Sequence, residues 1–80
     1  MKIIYTIHAL KRIKERNINR SDVEACVQRP DKLIYENKIR KAIRKIGNKA
    51  LVVVYREEEK CIIIITAYAT SKIEKYFSLT

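Results

Sequence analysis

The sequence predicts an α+β fold: an N-terminal helix hairpin packed on a mainly antiparallel sheet of four or five strands, in a single domain spanning residues 1–80. Three observations predict it. Residues 6–28 hold two short amphipathic segments separated by a few polar residues. After Pro30 the pattern changes to four β-prone runs joined by short turns. One glycine and one proline in 80 residues leave no room for linkers or disorder. A domain of this size has a small core and leans on dense aliphatic packing or on a partner.

Residues 2–5 are short and β-prone, the pattern of an edge strand. The run T-I-H-A-L-K-R-I-K-E-R, residues 6–16, reads as the first helix, with the Thr6 hydroxyl as its N-cap. At helical spacing, Ile7, Ala9, Leu10 and Ile13 share one side, and His8, Arg12, Glu15 and Arg16 share the other. Asn17 suits the left-handed conformation that stops a helix. Asn19 then caps a second helix, with Asp22 favoured in its first turn by the helix dipole. Val23, Cys26 and Val27 form its apolar stripe, and Pro30 forbids continuation. So short a join between two helices makes a hairpin.

Residues 32–37 and 40–46 alternate loosely, and Gly47-Asn48 is a two-residue hairpin signal of the type II′ kind. Residues 50–56 contain L-V-V-V-Y, residues 61–68 contain C-I-I-I-I-T-A-Y, and Glu57, Glu58 and Glu59 form an acidic tip between them. These runs predict an antiparallel meander. The last two are apolar on both faces, so they belong at its centre. The helix hairpin covers one face. The other needs a partner, a second copy of the chain, or the final segment, where Thr70-Ser71 either cap a short helix through Phe77 or lead an extended tail.

The net charge of +9 implies attraction to polyanions, nucleic acid above all, with an acidic protein partner or plain solubility as the ordinary alternatives. Residues 1–20 carry six Lys/Arg against one Glu, and residues 32–49 carry seven against one. The first helix and the two strands after Pro30 are therefore expected to form one continuous basic surface. Cys26 and Cys61 are too few for a disulfide framework and lie in apolar runs, which predicts reduced, buried thiols and a cytoplasmic chain. Met1-Lys2 precede only three apolar residues, unlike a signal peptide, and no run approaches the roughly 18 apolar residues of a membrane span.

One histidine and scattered acids make no common metal site, and no Gly-rich phosphate loop is present, so neither metal nor cofactor is expected. What remains is a set of His, Arg, Lys, Thr and Tyr, which suffices for RNA cleavage by the 2′-hydroxyl. A base takes its proton, an acid protonates the leaving 5′-oxygen, and cations hold the charge on phosphorus. His8 is the candidate acid or base, because imidazole is the side chain whose charge changes nearest neutral pH. Arg12 and Arg16 are candidates for forked contacts to phosphate. Thr66 and Tyr68, at i and i+2, share one face of the last strand, and Lys41 and Arg44 are placed to track the backbone. The catalytic set is thus His8, Arg12 and Thr66, and the RNA-binding set Arg16, Lys41, Arg44 and Tyr68. Each has an ordinary reading beside it: an exposed helix His is commonly surface, Arg12 and Arg16 have Glu15 as a partner, and Thr66 and Tyr68 fit any half-buried strand.

The run H-A-L-K-R-I-K-E-R-N-I-N, from His8 to Asn19, resembles the opening His-Ala-x-x-Arg-hydrophobic-x-x-Arg-x-Ile pattern of a family of small domains of unknown function placed near the RelE-type toxins. V-V-V-Y and I-I-T-A-Y, ending at Tyr55 and Tyr68, resemble its paired C-terminal strands. Asn17 stands where that family often has glycine. The resemblance implies a RelE-like fold with a curved sheet, with His8, Arg12 and Arg16 matching the helix motif and Thr66 the strand threonine. It also implies a metal-independent endoribonuclease toxin of a toxin–antitoxin system, acting on free or ribosome-bound mRNA. An antitoxin or a second copy would be its protein partner, and no membrane is involved. The alternatives are a non-catalytic ParE-like toxin that binds a protein target and an RNA-binding accessory protein.

Overall fold

The structure is a computed structural model of the chain and describes residues 2–77. Strand β1 (Lys2–Tyr5) leads into helices α1 (Ile7–Glu15) and α2 (Arg20–Gln28). Strands β2 (Lys32–Glu36), β3 (Ile39–Ile46), β4 (Lys49–Glu57) and β5 (Cys61–Thr70) follow, and a one-turn helix α3 (Glu74–Phe77) closes the described chain. The five strands form one sheet in the order β1-β5-β4-β3-β2.

The helix hairpin is present, but it follows a strand rather than opening the chain. Residues 2–5 do form an edge strand, and it pairs with β5 in parallel, so the sheet is mixed. The other three pairings are antiparallel and consecutive, as the alternating runs require. A parallel pair needs a crossover, and here the helix hairpin with β2–β4 supplies it. β4 and β5 are interior, in keeping with their apolar residues on both faces.

Local chemistry sets the element ends. Thr6 caps α1, its Oγ1 accepting from the Ala9 N–H at 3.0 Å. At the other end Asn17 has φ +53°, the Asn17 N–H donates to the Lys14 carbonyl, and the Ile18 N–H donates to that of Ile13 at 3.0 Å. This double closure satisfies carbonyls that the helix end leaves free, and it seats Ile18 against the core. Asn19 occupies the N-cap position of α2 in extended backbone, but its side chain makes no capping bond. Gly47, at φ +63°, opens the two-residue β3–β4 turn, the left-handed position that favours glycine.

The sheet buries both faces. Ala9, Ile13, Val23, Cys26 and Val27 of the helices pack on Ala42, Leu51, Val53, Tyr55, Ile64 and Ala67. On the opposite face Ile43, Ala50 and Val52 lie beneath Tyr76, with Ile73 and Phe77 beside it. The final segment, through α3, therefore covers the face left open by the hairpin. Lys32 donates to the Tyr76 carbonyl at 2.7 Å, the Tyr68 and Tyr76 hydroxyls pair at 2.9 Å, and the Lys45 ammonium sits over the Phe77 ring. Among the described residues, no helix is long and apolar enough to cross a membrane.

Two details differ from the sequence pattern. Ile7 and Leu10 lie on the apolar side of the predicted wheel, yet they are 87% and 41% exposed. α1 is buried along the Ala9–Ile13 line alone, because the small Ala9 lets the helix sit close on β5 and turns its neighbours outward. Cys61 is only half-buried, while Cys26 is fully buried with its thiol directed at the Ala42 carbonyl.

These environments make opposite predictions for two isoleucines. Ile64→Ala should cost roughly 2–5 kcal/mol in urea denaturation, whereas Ile7→Ala should change stability by no more than about 0.5 kcal/mol. Equal losses would contradict the packing described.

Candidate functional site

In β5 one extra residue decides where the candidate side chains point. Val54 pairs with Thr66 and Tyr55 pairs with Ile64, so Ile65 has no partner and forms a bulge. Before the bulge Ile62 and Ile64 face the helices. After it Ala67 faces the helices, while Tyr68 faces α3. Thr66, two residues before Tyr68, shares that side. Lys41 stands in the same row, two strands from Thr66 across Val54, and pairs with Glu36 at 3.1 Å.

His8 and Arg12 lie elsewhere, on the solvent side of α1. The Arg12 Nε–H donates to His8 Nε2 at 3.4 Å, and its Nη1 meets Glu15 at 3.2 Å. Among the described residues no hydrogen bond joins either side chain to Thr66, Tyr68, Lys41 or Arg44. Arg44 is on the helix face of β3, where it donates to the Arg29 carbonyl at the end of α2 at 2.7 Å. Lys41 and Arg44 are three residues apart in a strand and so point to opposite faces. The expected continuous basic surface is split: α1 lies over β5 and β1, and β2 and β3 form the opposite side of the sheet.

Arg16 is the candidate that reaches a concavity. β1 pairs with β5 only as far as Ile64, and beyond that point β5 has a free edge. The Arg16 Nη1 donates to the Ala67 carbonyl on that edge at 2.8 Å. Next to it, between the α1–α2 turn and the β3–β4 hairpin, is a cleft of about 250 Å³. Its lining is apolar at Ile18, Ile46, Ala50, Leu51 and Ala69 and polar at Arg16, Asn17, Asn19, Asp22 and Lys49, with Leu51 buried and Ile46 and Ala69 exposed. Of the residues lining this cleft, the sequence points to Arg16 alone as a site residue. The signal was present in Ile46, an apolar residue beside a hairpin turn, which remains 43% exposed.

The family model for a domain of unknown function, DUF4258, matches residues 5–69. The chain belongs to that family. No curated protein and no solved structure matches it. The matched stretch of the DUF4258 domain holds α1, α2 and every residue lining the cleft, and it stops short of α3.

The electrostatics of the DUF4258 domain narrow the chemistry. Burial pushes the Cys26 thiol up to about 12, so it is no nucleophile near neutral pH. Among the described residues no group of three or more His, Cys, Asp or Glu is placed to hold a metal ion. Burial and the hydrogen bond to Tyr76 push the Tyr68 phenol up to about 12, against the pull of Arg16. Burial and the Glu24 carboxylate, 2.7 Å away, do the same for Tyr5. Tyr68 is therefore a neutral hydroxyl engaged by α3.

Both phenols hold their protons more tightly folded than unfolded, where a tyrosine ionises near about pH 10. Their contribution to stability is complete below that pH and is lost as pH rises towards 12. In an alkaline titration of the tyrosinate band, Tyr5→Phe and Tyr68→Phe should each remove one late-ionising phenol. Loss of an early one instead would contradict the assignment.

Proposed function

We propose that the DUF4258 domain binds single-stranded RNA at the end of the molecule that carries the cleft. The observation that carries this reading is the cleft itself: a mixed apolar and polar hollow with two cations, Arg16 and Lys49, in its lining, on a chain of net charge +9. Such cations draw a polyanion towards the cleft.

A second reading adds cleavage, as a metal-independent endoribonuclease of toxin type. It is favoured by the exposed His8 imidazole, which has the Arg12 guanidinium against one ring nitrogen. Here His8 acts as general acid or base and Arg12 holds phosphate. His8 lies about 12 Å from Arg16 along the helix axis, so a strand held at the cleft runs along α1 to reach it. Kinship with RelE- and ParE-type toxins, and an antitoxin as protein partner, belong to this second reading. Thr66, on the opposite face, takes no part in it.

The test is fluorescence anisotropy with labelled single-stranded RNA across a salt series. Binding should weaken with salt, and Lys49→Gln should make the log–log slope shallower by roughly 0.7, one phosphate contact. Absence of binding at low salt overturns the proposal. Fragments ending in 2′,3′-cyclic phosphate that vanish in His8→Ala would establish the second reading. Intact RNA would leave binding alone.

A further inference from the structure

We infer that the cleft under the α1–α2 turn is a pocket for one nucleobase of the bound strand, with guanine as its best occupant; this rests on the RNA-binding reading and specifies its site. After its bulge β5 turns Ala67 and Ala69 toward the helices, and of the two Ala69 lines the cleft, where it pairs across to Leu51. Residues 16–19 of the α1–α2 turn line it too. A volume of about 250 Å³ is below the roughly 300–1,000 Å³ of a drug-sized site, so it takes a single planar ring system and not an oligomer.

The lining has two chemistries. Ile18, Ile46 and Leu51 supply aliphatic surface, suited to the face of a base. Ile46 is on the helix face of β3 and remains 43% exposed, an apolar side chain that the protein itself does not cover. Arg16 and Lys49 add two cations. Lys49 forms no ion pair among the described residues. Arg16 spends one N–H on the Ala67 carbonyl and keeps the rest of its fork for phosphate.

Asp22 sets the base preference. Asp22 lines the cleft and is half-buried, and among the described residues its carboxylate accepts one side-chain hydrogen bond, from the Asn19 amide at 3.5 Å. A carboxylate accepts and cannot donate. Guanine offers it two adjacent donors, the N1–H and the N2 amino group, in a bidentate arrangement. Adenine and cytosine offer one amino group, and uracil one imide N–H. A free phosphate or an acidic peptide would meet Asp22 as a like charge. Apolar Ile18, Ile46 and Leu51, the cations Arg16 and Lys49 and the acceptor Asp22 together fit a nucleotide whose base enters the cleft and whose phosphate stays outside.

The experiment uses the full chain and pentanucleotides U-U-N-U-U in which N is each base or an abasic ribose. Guanine should bind most tightly and the abasic strand about tenfold or more weaker, the size of one lost base contact. Ala69→Leu, which fills part of the cleft, should weaken the guanine strand to the abasic level and leave the abasic strand unchanged. Asp22→Asn should level the differences among bases. Thermal unfolding by circular dichroism checks that both variants fold, and Ile46→Ser repeats the test from a position that is 43% exposed. Equal affinity for the guanine and abasic strands overturns the pocket while the RNA-binding reading stands. Absence of binding to every strand overturns both.

Discussion

The extra residue at position 65 is the constraint on which the rest of the structure depends. Side chains alternate along a strand, so without it Ile62, Ile64, Thr66 and Tyr68 would all share a face. With it Ile62 and Ile64 pack under the helices while Tyr68 meets Tyr76 on the other side. The bulge also sets Ala67 and Ala69 on the helix face, Ala67 in the core and Ala69 in the lining of the cleft, where a larger residue would take up its space. Both apolar layers and the cleft thus follow from one register shift in one strand.

A sheet buried on both faces is demanding for 80 residues. The hairpin covers one face with five buried side chains, and the other is closed by Ile73, Tyr76 and Phe77 from a single turn of helix. One turn has little intrinsic stability, so its hold comes from elsewhere. The Lys32 ammonium on the Tyr76 carbonyl satisfies an orphan acceptor at the helix end, where positive charge is favoured. The Tyr68–Tyr76 hydroxyl pair and the Lys45–Phe77 contact add a hydrogen bond and a cation–π interaction. Such a layer contributes real burial without being an independent element.

Much of the fold was legible in the residues, for local reasons. Thr6, Asn17 and Gly47 are positions where one residue type meets one backbone requirement, and all three act as their chemistry suggests. Val23, Cys26 and Val27 bury as a stripe because α2 lies flat on the sheet. The misreadings are tertiary. Ile7 follows the helical period but has nothing to pack against, since α1 sits at the margin of the sheet. The parallel pairing of β1 is a long-range choice that no local pattern encodes. The bulge hides inside an unbroken apolar run, where every register looks equally good. For that reason the i, i+2 spacing of Thr66 and Tyr68 shows that they share a face but not which face, and the bulge sets it away from His8 and Arg12.

The same logic bears on the charge. A surplus of cations reads as one polyanion surface only while each cation is counted as free. In the folded chain Arg44 closes the end of α2, Lys32 the end of α3, Arg40 stacks on Tyr35, and Lys41 pairs with Glu36. Arg29, Lys32, Arg40, Lys41 and Arg44 account for much of the basic density around β2 and β3, and four of these five are engaged in the contacts just named. Their removal would report on folding before it reported on a ligand. Among the described residues Lys49 has no such duty, and Arg16 has one that uses a single N–H of its fork. Both line the cleft, so its cations are set apart from those that hold the fold together.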